Sequence, residues 1–295
     1  MPLYHTTFTD HFCDSWRALL RELYRYEEHE DFLVVRDIMG RPTFSYLPLL
    51  NYTNLTREKA LRLAQKAHGS RYLIRSLNPG YREFKEGDTV TMRIDLGKPS
   101  FDDVFQGIAK RTRRYIRDTE AAISIKSGHE PHLTDQFYAV FTDVMHRLGT
   151  PVFSKHLFSL LPRHMNARYY VASGFGQPIA AGVVIYDDNV AWIPWSGTRT
   201  PFLEKRPGLP MYLQAIQDAY DAGKPIFDFG RSGYGMGTFE FKERWGAKPV
   251  KIDLLSETPQ LIYDKYQTAS RIWKSLPRHL VNFAGPQLCK FLVDL

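Results

Sequence analysis

Residues 226–254 constrain the fold most, because they combine two strand patterns, a glycine-rich loop and a helix pattern. Ile226, Phe227 and Phe229 predict a buried strand, and the alternation of apolar and charged residues over 250–254 predicts a half-exposed one. Between them, Thr238 can cap a short helix that Gly246 ends in a left-handed conformation. The segment therefore predicts a strand, a loop, a helix and a strand, with the functional site beside the loop.

The loop contains four glycines, Gly230, Gly233, Gly235 and Gly237, and one fixed positive charge, Arg231. Glycines allow positive φ angles, so successive N–H groups can converge on an anion beside a helix N-terminus. A dinucleotide-binding fold is disfavoured, because only about two helical turns fit where that fold needs a full crossover helix. Two interpretations stay open, an anion-binding loop and a plain glycine-rich connection without a ligand.

Composition and charge set wider limits. A chain of 295 residues, 43% of them apolar, can bury the cores of two ordinary domains. The sequence has no run of about 18 apolar residues, no signal-peptide pattern and no cysteine pair with metal-like spacing. We therefore expect a cytoplasmic protein without a metal site. The net charge of +7 favours an anionic partner such as a phosphate, a nucleic acid or a lipid surface.

Residues 101–122 form the strongest helical pattern of the chain, with an apolar stripe and a basic face. Lys110, Arg113, Arg114 and Arg117 recur three and four residues apart, which places their charges on one side of the predicted helix. Such a face is either simply solvated or in contact with phosphate or nucleic acid.

The second half of the chain begins with a predicted meander of strands at residues 168–173, 179–186 and 190–196. A helix with one apolar face follows, and its N-terminus combines two cations with a glycine, which suits a pyrophosphate. The residues of this helix entry are Lys205, Arg206, Gly208 and Leu209. A plain helix entry without a ligand is the alternative.

The last part of the chain mixes aromatic and aliphatic residues with basic ones. It is expected either to pack on the preceding domain or to lie on anionic lipid. A turn at Gly149 suggests a boundary, so we predict an N-terminal domain over residues 1–149, a C-terminal domain over 150–258 and a helical tail over 259–295.

Three motifs of the second half resemble the C-terminal domain of FemAB-like proteins, which have two tandem GNAT-type acyltransferase domains. The motifs are Phe-Asp-Phe-Gly-Arg-Ser at residues 227–232, Gly-Thr-Phe-Glu-Phe-Lys at 237–242 and Trp-Gly-Ala-Lys-Pro-Val at 245–250. More narrowly, residues 110–125, 148–154 and 273–288 are similar to FemAB-related proteins of exosortase or PEP-CTERM gene neighbourhoods. The similarity covers most of the chain after residue 100.

The resemblance implies an α/β fold of two tandem GNAT-like domains, each a mixed sheet flanked by helices. It also implies transfer of an acyl or aminoacyl group to an amine or hydroxyl of a peptidoglycan or exopolysaccharide precursor. Because no Ser-His-Asp or Cys-His set is visible, direct attack by the acceptor is expected. The compact cationic helix entry favours acyl-CoA as the donor, whereas the basic face of 101–122 would suit the alternative, aminoacyl-tRNA.

The Phe-Lys pair of these relatives matches Phe241 and Lys242, and Lys242 would stabilise the oxyanion. Asp228 and Tyr234 are the other catalytic candidates, for proton transfer or acceptor orientation. The residues expected to hold donor phosphate are Lys205, Arg206, Gly208 and Leu209. The residues expected to bind substrate are Arg231, Ser232, Phe241, Trp245 and Trp195.

A second class of function stays open, in which the chain keeps the fold without the chemistry and binds an anionic polymer or nucleic acid through its positive charge. The predicted partners of the enzyme are the acyl donor and an envelope precursor. Two further candidates are tRNA and the inner face of the membrane, which the tail would contact.

Overall fold

The computed structural model describes residues 2–257 and 270–292. The strands are β1 Glu27–His29, β2 Phe32–Arg36, β3 Pro42–Ser45, β4 Tyr72–Asn78, β5 Thr89–Asp95, β6 Ser124–Gly128, β7 Asn166–Gly174, β8 Gln177–Tyr186, β9 Val190–Thr198, β10 Ile226–Gly233 and β11 Lys248–Ser256. The helices are α1 Pro2–His5, α2 Asp10–Tyr24, α3 Arg57–Lys66, α4 Phe101–Gln106, α5 Lys110–Glu120, α6 Pro131–Leu148, α7 Lys155–His164, α8 Gly208–Asp221, α9 Gly237–Glu243 and α10 Arg278–Cys289. A 3-10 helix, Thr200–Lys205, precedes α8.

All of these strands join one mixed sheet, in the order β1-β2-β3-β4-β11-β5-β10-β9-β8-β7-β6. Helices cover both faces, so the predicted α/β fold with mixed sheets flanked by helices is confirmed. On one face α2, α6 and α7 bury Trp16, Phe137 and Phe158 against the sheet. On the other face α8 and α9 bury Met211 and Phe239.

The two halves of the chain exchange their last strands within this sheet. In the first half β3 and β4 are parallel neighbours, as β9 and β10 are in the second half. The strand beside β4 is β11, from the second half, and the strand beside β10 is β5, from the first half. β11 and β5 then pair with each other at the centre of the sheet. Neither half therefore completes its own sheet.

Because of this exchange, the elements of residues 226–254 are arranged differently from the prediction. The strand, loop, helix and strand are present, but β10 and β11 are not neighbours, because β5 lies between them. Thr238 does not cap α9. It lies inside the helix, which Met236 precedes without a side-chain cap, and its hydroxyl donates to Ser232 Oγ at 3.2 Å. Gly246 adopts the expected left-handed conformation, with φ of 79°.

The single helix predicted over residues 101–122 is wrong, because the chain breaks it into α4 and α5. Ser100 caps α4 in a reciprocal capping box with Asp103. After α4, the N–H of Ala109 donates to the carbonyl of Arg244 at 2.9 Å, and the carbonyl of Gly107 lies against Gly246. The break thus packs the turn between α4 and α5 onto the C-terminal end of α9, beside the candidate site.

The contacts around residue 149 favour a boundary earlier in the chain than the predicted one. β6 and α6 precede Gly149 in the chain, yet β6 pairs with β7, and α6 packs on β7, β8 and β9. The division at residue 149 stays a prediction, and these contacts argue for placing it before β6.

One side of α10 packs against the rest of the chain. Val281 and Cys289 are buried, and Cys289 Sγ donates to the carbonyl of Val152 at 3.3 Å. Gly285 lies so close that an added Cβ would be 2.8 Å from the N atom of Val152. The first part of the predicted tail, residues 259–269, lies outside the described residues. Over residues 2–257 and 270–292, no helix has both the length and the apolar character needed to cross a bilayer.

Candidate functional site

The candidate site lies where the parallel strands β9 and β10 separate. The two strands pair from Val190 and Ile226 only as far as Trp192 and Asp228, although both continue for several residues. At that point β10 shifts register against β5, and Gly230 adopts a φ of 75°, which a side chain would strain. Beyond Trp192 and Asp228, the main-chain groups of β9 and β10 therefore no longer pair with each other.

Asn51 fills the base of this gap. In the amide orientation that satisfies both donors, its side-chain oxygen accepts hydrogen bonds from Trp192 Nε1 at 3.1 Å and from the N–H of Arg231 at 3.0 Å. A Cβ on Gly230 would lie 2.8 Å from the same amide group. A residue of the first half therefore links the separated strands of the second half.

Lys242 lies on the β10 side of the gap. Its Nζ donates to the carbonyls of Gly230 and Arg231, at 3.0 and 2.8 Å. Burial of the amine lowers the pKa of Lys242 from 10.5 to about 7, while nearby Asp228 raises it and Arg231 lowers it further. A lysine with this pKa is present in both protonation states near neutral pH, which suits catalysis of proton or charge transfer.

The β9 side of the gap carries a hydroxyl pair, Ser196 Oγ and Tyr212 Oη, 2.6 Å apart. Burial raises the pKa of Tyr212, and its hydrogen bond to Ser196 lowers it by less. The Tyr212 ring lies 5.4 to 5.7 Å from the rings of Phe229, Phe241 and Trp245. Trp245 is buried, and its indole N–H has no acceptor among the described residues. The site thus combines an apolar wall with a half-buried hydroxyl pair that a substrate can contact.

The N-terminus of α8 lies at the open end of the gap. No side chain caps it, and of its first three residues only Gly208 keeps an available N–H, because Leu209 donates to the carbonyl of Arg206 at 3.0 Å and Pro210 has no N–H. An added Cβ on Gly208 would lie 3.2 Å from Thr198 Oγ1 at the end of β9. Lys205 and Arg206 are exposed and form no ion pair within the described residues. These features fit a phosphate group, as helix N-termini with adjacent cations do.

Arg206 also joins the helix entry to the basic face of α5. Its backbone is left-handed, with φ of 50°, and its guanidinium lies 3.7 Å from the centroid of the Tyr115 ring. Arg111 Nε donates to Tyr115 Oη at 2.7 Å, and this hydrogen bond, with the charges of Arg111, Arg206 and Arg114, lowers the pKa of Tyr115. The lowered pKa indicates a positive potential between α5 and the start of α8.

Asp228 is buried at the centre of a hydrogen-bond network rather than facing the gap. Its carboxylate accepts hydrogen bonds from Tyr52, Thr91, Arg93 and the N–H of Gly230, at 2.9, 2.5, 2.8 and 2.7 Å. Because the described donors already fill its acceptor positions, the geometry favours a role in holding β10 against β5 over a role in proton transfer. The catalytic role of Asp228 stays a prediction.

The glycine loop before α9 uses its own amides internally. The N–H groups of Tyr234 and Met236 donate to the carbonyls of Asp88 and Gly233, at 2.8 and 3.1 Å. Together with the amide of Arg231 bound to Asn51, these contacts favour the plain connection over the anion-binding loop.

The structure brings some predicted site residues together and separates others. Lys242, Phe241 and Trp245 share one wall, while Gly208 and Arg206 lie at the helix entry and Arg231 lies on β10. Trp195 is on the opposite face of the sheet, where its ring stacks on Trp16 at 6.3 Å. Ser232 is buried behind α9, and Tyr234 stacks on Phe84 at 5.0 Å. Leu209 is buried under α8.

Sequence reasoning missed Asn51, Ser196 and Tyr212 as site residues. The spacing of Tyr212 indicates only an apolar helix face, and no local pattern around Asn51 points to a strand of the other half. The proline of the sequence Trp-Ile-Pro-Trp, Pro194, was the available signal for an irregular strand, since β9 bulges there against Val183 and Ile185.

Comparisons with known proteins agree with this architecture. Residues 105–243 match the family model described as an acetyltransferase (GNAT) domain. The crystal structure of FemX matches with a TM-score of 0.59 and 10% identity, over 89% of this chain and 94% of that chain. The C-terminal domain of a putative lysylphosphatidylglycerol synthetase from Agrobacterium fabrum matches with a TM-score of 0.51 and 12% identity, over 87% and 95%. A conserved protein of unknown function from Bacteroides thetaiotaomicron matches with 0.51 and 11%, over 86% and 94%.

No curated protein matches the sequence. The segment that matches the family model begins in α4 and ends in α9, so it contains the gap between β9 and β10, the start of α8 and Lys242. The matched domain and the shared fold together identify this chain as an acyltransferase with the GNAT fold.

Proposed function

We propose that this chain transfers an acyl or aminoacyl group from a phosphate-bearing donor to an amine or hydroxyl of a cell-envelope precursor, by direct attack in the gap between β9 and β10. The observation that carries the proposal is the convergence of three features on this gap: the splayed strands, the uncapped α8 N-terminus and the desolvated Lys242. The names of two similar folds, FemX and a lysylphosphatidylglycerol synthetase, favour an envelope acceptor. The similarity to PEP-CTERM-associated proteins makes an exopolysaccharide precursor a narrower candidate.

Acyl-CoA is the donor we favour. Its pyrophosphate would lie at the start of α8, where the N–H of Gly208 and the positive charges of Lys205 and Arg206 would contact it. Its extended arm would lie between the separated ends of β9 and β10. Aminoacyl-tRNA is the alternative, and its backbone would continue onto the exposed cations Lys110, Arg114 and Arg117 of α5.

The chemistry of Lys242 follows from its two carbonyl partners. A charged amine has three N–H bonds, so two donate to the carbonyls of Gly230 and Arg231 and the third remains for a substrate oxygen. In the tetrahedral intermediate that oxygen becomes negative, and a donor already desolvated and oriented stabilises it. A neutral amine would present a lone pair in the same direction, so loss of the proton converts the group from an oxyanion donor into a base.

The remaining proton transfers need a group on the opposite side of the gap. Tyr212, hydrogen-bonded to Ser196, is the residue that we assign to protonating the leaving group, and the resulting phenolate would then take the proton that the attacking amine or hydroxyl loses. Its raised pKa keeps the phenol protonated near neutral pH, as an acid requires.

Binding of CoA and of tRNA can be separated by two measurements on the wild-type protein. CoA at about 100 times its dissociation constant should stabilise the fold by roughly 2.7 kcal/mol, seen as a rise of several degrees in melting temperature. Alanine at Arg206 should reduce this shift, whereas alanine at Arg163, an exposed arginine of α7, should leave it unchanged.

Binding of tRNA would instead weaken steeply with salt, with a smaller slope in a variant with alanine at Lys110, Arg114 and Arg117. No thermal shift with CoA, together with salt-sensitive tRNA binding that depends on these three cations, would reverse the choice of donor. Failure of both ligands to bind would contradict the assignment of the α8 entry.

A further inference from the structure

Large apolar side chains are exposed mainly around the C-terminal helices. Ten such side chains stand out among the described residues, and six of them lie on these helices or on segments next to them. The six are Leu148, Phe175, Leu203, Ile272, Leu280 and Phe283. Since single exposed apolar residues are ordinary and clusters are not, this distribution indicates an interaction surface.

α10 has two different apolar sides. Val281 and Cys289 point inward and are buried, which accounts for the packing of the helix. Leu280 and Phe283, three residues apart, lie on the other side with 48% and 79% of their surface exposed. Ile272, in the helical residues 270–275, is 60% exposed. The packing of α10 on the rest of the chain therefore does not account for the apolar residues on its exposed side.

A strained aromatic residue lies close to this helix. Phe175 forms the tip of the β7–β8 hairpin with a φ of 53°, which is unfavourable for a bulky residue, and it is 68% exposed. Its ring stacks at 5.7 Å on Phe202, which lines a cavity of about 300 Å³ together with Arg278, the first residue of α10. The two-residue loop requires a positive φ at both Phe175 and Gly176, so the turn accounts for the backbone, and the exposed ring extends the apolar surface beside α10.

The same surface is strongly cationic. Residues 270–292 contain Arg271, Lys274, Arg278 and Lys290 and neither aspartate nor glutamate. In the cavity, Asp143 accepts from both Arg199 and Arg278, at 2.5 and 2.9 Å, so one carboxylate faces two guanidinium groups. The surface thus keeps a net positive charge around its apolar side chains.

We propose that this tail surface, formed by the outer side of residues 270–292 and the Phe175 hairpin tip, binds anionic lipid at a membrane. Leu280, Phe283 and Phe175 would enter the boundary between headgroups and acyl chains, and the neighbouring cations would contact lipid phosphates. A nucleic acid would leave the apolar side chains in water. A second copy of the chain would bring the same positive charges together across a symmetric contact.

Vesicle flotation tests the proposal with the full chain. We expect the wild type to bind vesicles of phosphatidylcholine with about one quarter phosphatidylglycerol, to bind weakly to phosphatidylcholine alone, and to lose affinity as salt is added. Replacing Leu280 and Phe283 together by serine should weaken binding about 100-fold, since each side chain contributes roughly tenfold. The matched control replaces Ile38 and Met39, two exposed apolar residues of the β2–β3 turn, by serine and should bind like the wild type.

The melting temperature of each variant separates binding from folding, because Leu280 and Phe283 do not contribute to the buried side of α10. A second variant, with glutamate at Arg271 and Lys274, should lose affinity for anionic vesicles by at least tenfold without any change in apolar surface. Lys242→Met should bind vesicles like the wild type, so this proposal and the catalytic one can fail separately.

Three results would overturn the proposal. The first is that the wild type fails to bind anionic vesicles at low salt. The second is that the Leu280 and Phe283 variant binds as well as the wild type. The third is a wild-type dimer that the same variant dissociates, which would assign the surface to contact between copies.

Discussion

Replacing Lys242 by methionine tests whether the protein environment, rather than the lysine side chain alone, sets the chemistry of the site. In the folded chain the pKa of Lys242 is about 7, against 10.5 for the free side chain. This difference corresponds to about 5 kcal/mol of preference for the neutral amine. Burial causes most of it, and the carbonyls of Gly230 and Arg231 accept hydrogen bonds from the amine in either state.

The sign of the effect on stability follows from proton counting. Between pH 7 and 10.5 the unfolded chain binds a proton at Lys242 that the folded chain has mostly lost, so the wild type becomes more stable as pH rises. Below pH 7 the folded chain holds a charged, buried amine, so the full cost of burying this charge lowers its stability. The variant has no such dependence, although it leaves two carbonyls without this donor at a cost of about 1–3 kcal/mol each. Only the change of the difference with pH is therefore diagnostic.

The assay is the free energy of unfolding in urea, measured for both proteins from pH 6 to pH 9. We expect the wild type to gain about 2 kcal/mol relative to Lys242→Met between pH 7 and pH 9. Lys248→Met, on the exposed side of β11, should follow the wild type. If the free energies of unfolding of the wild type and of Lys242→Met change with pH in parallel, the argument that burial lowers the pKa of Lys242 is refuted.

The rate of transfer gives an independent test of the role of Lys242. Lys242→Met should lower transfer about 100- to 1,000-fold, the scale for removing one oxyanion donor. If the charged form acts, the wild-type rate should fall as pH rises above about 7, when the amine loses its proton. A rate that rises through this range would instead assign Lys242 as a base, and an active folded variant would remove it from the mechanism.

The other predictions concern the framework of the site. Gly230→Ala should destabilise the chain by about 1–2 kcal/mol or more, measured by urea unfolding, because the φ of 75° and the amide of Asn51 at 2.8 Å both oppose a side chain. Asp228→Ala should cost about 3–5 kcal/mol in the same assay by leaving the buried Arg93 unpaired, and a variant as stable as the wild type would contradict the structural role. Truncation after Glu257 should lower the melting temperature or cause aggregation by exposing the surface under α10, and an unchanged melting temperature would contradict this. Residues 150–258 expressed alone should be insoluble, since β5 would be missing beside β10.

The elements of the second half could be predicted because their signals are local. The alternation of apolar and polar residues and the turn residues predict the meander β7–β9, and Gly208 with its neighbouring cations indicates the start of α8. Each of these signals lies within a few residues of the element that it defines. The Phe-Lys pair was found through family resemblance, because a lysine on a short helix gives no physical signal of its burial. Its lowered pKa depends on surroundings that only the fold supplies.

The order of the sheet could not be predicted, because strand pairing is set by contacts between distant parts of the sequence. The alternation of residues 89–95 is typical of a strand, yet nothing in their pattern indicates insertion between β11 and β10. The assignments of Asp228 and Trp195 suffered from the same limit. The partners of Asp228 on β5 and the bulge that turns Trp195 to the other face are both invisible in local sequence.

The exchanged strand also explains how one glycine produces both the gap and the environment of Lys242. At Gly230 the left-handed backbone shifts the register of β10 against β5, so β10 follows β5 and separates from β9. Once separated, the carbonyls of Gly230 and Arg231 no longer face a neighbouring strand on that side and instead accept from Lys242. The first half of the chain holds this geometry, because Thr91 and Arg93 bind Asp228 just before the bulge. The N-terminal half is therefore a structural part of the C-terminal site, and changes in β5 should alter the pKa of Lys242 without touching it.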